Sequence, residues 1–157
     1  MGRLNDEMTI TPPPQEGADD IGEIVDIVGF HIRLAHGAVY RHFTETFADL
    51  GLTQKQVSIL WLIDDHPGIA QTGLSVRMRM DRATTMAVVN RLQARGYLVR
   101  GKSDSDGRKQ SLNLTAAGRD ALKVAKEAVR QHEDWLKSRY TKAEVRKLVE
   151  LLARLHG

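Results

Sequence analysis

The stretch DSDGRKQSLNLT, Asp104 to Thr115, sets charged residues around Gly107 and then passes into alternating Ser111, Leu112, Asn113 and Leu114. A polar loop leading into period-two alternation is the pattern of a hairpin tip entering a strand. That tip carries Arg108 and Lys109, with Asp106 two residues before the arginine. A guanidinium on such a protrusion suits a narrow minor groove of duplex DNA, where negative potential is strongest, and the Asp106 carboxylate can hold it by a charge-assisted hydrogen bond. The wider neighbourhood is also basic. Between Arg77 and Lys109, nine Lys or Arg residues stand against three Asp, a net +6, while the whole chain carries only +3. Clustered cations of this kind are what a phosphate backbone rewards through counterion release.

Other chemistries find little support. No nucleophile, base and orienting residue share a recognisable spacing, and there is no Gly-rich phosphate loop or paired-carboxylate pattern, so an enzyme is not expected and no cofactor is implied. His31, His36 and His42 miss the i, i+4 spacing that puts two ligands on one helix face, so no metal site is expected. The chain has no cysteine, which excludes disulfides and thiol redox sensing and points to a reducing compartment, the cytoplasm. The N-terminus lacks the apolar core of a secretory signal, and no apolar run is long enough for a membrane span, so no membrane partner is expected. A chain of 157 residues with 41% hydrophobic content is large enough for one domain with a real core.

The elements that must position the basic residues follow from periodicity. Residues 1–20 contain Pro12-Pro13-Pro14 and five acids with few large apolar side chains, the composition of a flexible tail. From Ile21 to about Leu50, apolar residues recur every three to four positions and predict one long amphipathic helix ended by Gly51. Thr53 and Gln56 have capping-box spacing and open a second helix, which Pro67-Gly68 closes. A short third helix covers about Gln71 to Met78. Asp81 is placed to cap a fourth, with Thr85, Val88, Val89 and Leu92 inward and Gly96 as its stop. Tyr97 to Arg100 and the Leu112/Leu114 alternation form a hairpin. Thr115 caps a fifth helix, about Ala116 to Arg139, and Thr141 with Glu144 opens a sixth. The expected fold is therefore mostly α with a small β-hairpin, a winged helix-turn-helix. It is divided as an acidic tail (1–20) and a single domain (21–157), within which 53–115 form the winged helix and 21–50 and 116–157 the dimerisation helices.

The segments LSVRMRMDRATTMAVVNRLQARGYLVR and DSDGRKQSLNLTAAG resemble the MarR (multiple antibiotic resistance regulator) family of bacterial transcription factors. Two motifs carry the likeness: Asp81-Arg82-x-Thr84 leading to Asn90-Arg91-Leu92 and Gly96, and Asp106-x-Arg108 followed by Leu114-Thr115-x-x-Gly118. The resemblance implies a homodimer on double-stranded DNA, its fourth helices in successive major grooves and its wings in flanking minor grooves, with Arg108 as the wing contact. With Val88 inward, Arg82, Ala83, Met86, Ala87 and Asn90 face outward. Arg82 and Asn90 suit base edges or phosphates, Thr84 a phosphate near the helix start, and Arg91 the backbone. Ala83 and Ala87 depart from the polar residues common in the family at these positions. Together with Met86 they suit thymine methyl groups, so part of the specificity is expected from apolar contact and DNA shape.

Family members of this kind commonly bind a small molecule, often an aromatic acid, between the first, second and fifth helices. His31, Arg33, His36 and Tyr40 on the first helix and Trp61 on the second are the candidates, since a cation beside aromatic rings can pair an anionic aromatic ligand. The wording HIRLAHGAVYRHF resembles family members that control aromatic-compound catabolism, whose effectors include aromatic carboxylates and their CoA thioesters. The expected function is a ligand-responsive regulator, a repressor released from a pseudo-palindromic operator. The alternative is a winged-helix protein-protein interaction module without specific DNA binding, which salt dependence distinguishes.

Overall fold

The computed structural model describes residues 22–102 and 110–157. The expected tail, and Asp106, Arg108 and Lys109 of the wing tip, lie outside the described residues. The chain divides into two compact units, residues 1–38 and 39–157.

The expected single helix over 21–50 is three pieces. A 3-10 turn (Gly22–Asp26) precedes α1 (Val28–Thr46), and a second 3-10 turn (Ala48–Leu50) follows it. Gly22 at φ 65° and Gly51 at φ 58° take left-handed conformations at the outer ends, where lack of a Cβ removes the penalty. Phe47 leaves the helical region at φ −100°, ψ 4°, and stacks on Phe43 with ring centroids 3.9 Å apart. Three-to-four periodicity does not separate α from 3-10 turns, since both return a residue to the same face at that spacing.

The second unit assembles as the sequence directs. Helix α2 (Gln54–Asp65) opens on a complete capping box, with the Gln56 N–H donating to Thr53 Oγ1 at 3.2 Å and the Thr53 N–H to Gln56 Oε1 at 3.0 Å. Helix α3 (Gln71–Met78) ends on Arg79 at φ 51°, and the Met80 N–H returns to the Ser75 carbonyl at 3.0 Å. Helix α4 (Arg82–Ala94) buries Thr85, Val88, Val89 and Leu92, the four expected positions. A two-residue strand, β1 (Ile69–Ala70), too short to show alternation, joins β2 (Leu98–Lys102) and β3 (Gln110–Leu114) in an antiparallel sheet of order β1-β3-β2. Leu98 pairs with Leu114 and Arg100 with Leu112.

Helices α5 (Ala116–Lys137) and α6 (Lys142–His156) complete the chain. The motif Leu114-Thr115-x-x-Gly118 acquires a steric reason here. Thr115 Oγ1 donates to the Gly96 carbonyl at 2.5 Å and accepts from the Gly118 N–H at 3.0 Å. A Cβ on Gly118 would stand 1.9 Å from the Tyr97 carbonyl oxygen. Glycine lets α5 press directly on the chain entering the wing.

Candidate nucleic-acid interface

Asp81 organises the start of α4. Its carboxylate accepts from the Thr84 N–H at 2.7 Å and from the Thr84 hydroxyl at 2.6 Å, and these bonds hold its pKa below the ordinary carboxylate value. The Thr84 hydroxyl proton is thus committed to the cap, leaving oxygen lone pairs but no donor for the phosphate contact expected of it. Arg82, Ala83, Met86, Ala87, Asn90 and Arg91 are all exposed. Met86 shows 49% of its surface.

Asn90 is held from the sheet. Arg100, on β2, donates to Asn90 Oδ1 at 2.7 Å, to Gln93 Oε1, and to Gln71 Oε1 at 3.4 Å. One guanidinium fork therefore ties α3, α4 and the sheet together. With one lone pair of its carbonyl oxygen engaged, Asn90 has a fixed amide plane and an NH₂ donor suited to the acceptors N7 and O6 of guanine, N7 of adenine or O4 of thymine. The bidentate pairing of Asn with adenine draws on the second lone pair of that same oxygen. Sequence reasoning counted Arg100 only as local charge, because its three partners are 7, 10 and 29 residues away. The signal available was an arginine inside a strand whose neighbours alternate.

A second anchor lies at the other end of α4. Arg95 donates to the Gly51 carbonyl at 2.6 Å and to the Tyr97 hydroxyl at 3.1 Å, its guanidinium 4.8 Å from the Tyr97 ring centroid. These contacts brace the end of α4 against the chain around Gly51.

Residues 50–109, α2 through the wing, match the sequence profile of the MarR family. A putative transcriptional regulatory protein for the hcr operon of Thauera aromatica is 34% identical over 136 residues, 86% of this chain and 82% of that protein. The chain belongs to the MarR family. It is a transcription regulator of winged-helix type, and the relatives it matches are regulators rather than enzymes. The transcriptional repressor CouR, solved on a 23-mer DNA duplex, superposes with a TM-score of 0.83 at 32% identity, covering 90% of this chain and all of that one. CouR bound to p-coumaroyl-CoA superposes at 0.79 with 30% identity, covering 88% and 98%.

The residues expected to hold an effector in this MarR protein fall in both units. In the first, His31 Nε2 lies 2.6 Å from the Val25 carbonyl, and the Arg33 guanidinium sits 5.3 Å from the Phe30 ring centroid; His36 is exposed. In the second, Tyr40 is exposed and Trp61 half-buried, with Lys126 Nζ 4.8 Å from the Trp61 ring centroid. His42, set aside above as a metal ligand, faces α5: its Nδ1 lies 2.8 Å from His132 Nδ1 and its ring stacks on Trp135 at 3.9 Å. Among the described residues, no group of three or more His, Cys, Asp or Glu is arranged to hold a metal ion.

Proposed function

We propose that this protein is a homodimeric, effector-released repressor that reads a pseudo-palindromic operator with α4 in the major groove and the wing in the minor groove. The observation that carries the reading is the division of α4 into a buried face, Thr85, Val88, Val89 and Leu92, and an exposed face bearing Arg82, Met86, Asn90 and Arg91. A helix with one face packed and the other lined by donors and methyl-contacting side chains is built to lie in a groove. DNA-bound CouR, at 32% identity, supports that docking. On the wing, Arg108 supplies the minor-groove contact, oriented by Asp106 and accompanied by Lys109. A second copy supplies the other half-site about one helical turn away.

The repressor acts by occupying its promoter, and the effector, an aromatic acid or its CoA thioester, binds the conformation in which the paired α4 helices no longer match the operator. CouR bound to p-coumaroyl-CoA, at 30% identity, supports that class. The compartment is the cytoplasm, where promoters are; among the described residues no helix is long and apolar enough to cross a membrane.

The test is recovery and sequencing of the DNA retained by purified protein from sheared genomic DNA, followed by titration of the recovered site at several salt concentrations. A specific inverted repeat bound with a steep negative salt slope is the expected result. Retention without enrichment of any sequence, or affinity indifferent to salt, overturns the reading in favour of a protein-contact module.

A further inference from the structure

A groove of about 540 Å³ runs between α2 and α5, within the size range of small-molecule sites. Arg119, Lys123, Lys126 and Arg130 line it. They follow one another on α5 at intervals of four, three and four residues, so they form one stripe about 16 Å long at the helical rise. Trp61 and Leu122 supply an apolar wall, and Asp64 is the one acid in the lining. The carboxylate of Asp64 lies 3.1 Å from Lys126 Nζ and fixes that cation over the Trp61 ring. The groove thus has a net charge of +3 beside an indole. Lys123 has no ion-pair partner among the described residues, while Arg130 is shared with Glu127.

We propose that this groove seats the phosphate groups of a coenzyme A thioester effector, the row of α5 cations taking the phosphates while Trp61 and Leu122 pack its uncharged portion. The inference rests on the reading of the chain as an effector-released repressor, and it selects the thioester over the free aromatic acid. A monocarboxylate needs one guanidinium or ammonium. Four cations spread along three turns match an elongated polyanion with a diphosphate and a ribose 3′-phosphate. A duplex is the poorer occupant, because the lining comes only from α2 and α5 and includes a tryptophan wall that a phosphate backbone does not use. Arg119 connects the groove to the wing: its Nη1 donates to the Leu114 carbonyl at the end of β3, 3.0 Å away. A phosphate competing for that guanidinium acts on the strand that leads from the wing tip.

The test uses full-length protein with coenzyme A, p-coumaroyl-CoA and p-coumarate as probes, measured by calorimetry and by release of operator DNA. Native protein is expected to bind both CoA compounds with affinity that falls as salt rises, and to bind p-coumarate at least about tenfold more weakly. Lys123→Glu is expected to lose about tenfold or more in CoA affinity, with operator affinity in the absence of ligand and melting temperature unchanged. Equal CoA binding by native protein and Lys123→Glu overturns the groove as the phosphate seat and leaves the repressor reading standing. Binding of p-coumarate as tight as that of its thioester, or no binding of CoA compounds by native protein, also overturns it. Loss of operator affinity in ligand-free Lys123→Glu reassigns the groove to DNA. Failure of the recovered operator to bind native protein at all is a separate result, and it counts against the repressor reading itself.

Discussion

The proposed docking gives two arginines opposite duties, and substitution separates them. In the proposed docking Arg108, at the wing tip in sequence, reads groove potential rather than a base edge, so Arg108→Ala is expected to weaken binding to all sequences alike and to reduce the salt slope by about 1. A shift assay on specific and scrambled duplexes checks this, and retained affinity with an unchanged slope contradicts it. Arg100 instead fixes the amide of Asn90 through a 2.7 Å hydrogen bond. Removing it leaves that amide free to turn. Under the proposed docking, Arg100→Ala is therefore expected to weaken discrimination at the base pair facing Asn90 by roughly 1–3 kcal/mol, while affinity for random duplex changes little. Binding-site selection on the variant decides it; an unaltered preference at every position removes Arg100 from the readout. Ala87→Ser tests the apolar contribution in the same assay, with weakened preference for thymine at one position as the expected result.

At the level of elements, the steric fit at Gly118 and the histidine pair on α1 and α5 give the sharpest expectations. Gly118→Ala drives a methyl to 1.9 Å from the Tyr97 carbonyl oxygen, and backbone is what must move. A loss of about 2 kcal/mol or more is expected, visible as a lower melting temperature. His132 is buried, and burial, then the neighbouring His42, lowers its pKa from the ordinary 6.5. The folded chain therefore holds His132 neutral while the unfolded chain takes up a proton. Stability is fully present above about pH 6.5 and is lost as the pH falls from there through the lower folded value. Thermal melts between pH 8 and pH 5 should show that decline, and His132→Gln should flatten it; a native profile that rises on acidification contradicts the assignment. Much of this level was legible in the sequence, because caps and glycine stops are local: Thr53, Asp81, Gly96, Thr115 and Thr141 each mark the boundary they cap. What escaped depends on distant partners. Strand β1 exists only because β3 accepts Ile69 and Ala70, the His42–His132 contact spans 90 residues, and the α5 cations gain meaning only beside Trp61 on α2.

On the scale of the whole molecule, the chain holds more apolar surface than it covers. Helix α6 has no buried residue, and Val149, Leu151, Leu152 and Leu155 are exposed on it. In the first unit Ile24, Val25, Ile27, Val28, Ile32 and Leu34 are exposed as well. Exposed apolar residues repeated along a helix mark an interaction surface, and in the proposed homodimer a second copy covers the α6 face, since a two-fold interface is self-complementary. The same pairing serves recognition: two half-sites engaged together bind more tightly than either one alone, through effective concentration rather than any new contact. The core that supports α4 lies in residues 43–128, apart from the α6 surface. Leu152→Glu combined with Leu155→Glu is therefore expected to leave a folded winged helix, shown by a retained cooperative melt, while sedimentation shifts from dimer to monomer. Operator affinity should then fall by about a hundredfold or more, whereas binding to a single half-site duplex stays within a few-fold of native. A variant that remains dimeric, or a monomer that binds the full operator as tightly as native protein, would show that the two-fold arrangement does not supply the affinity.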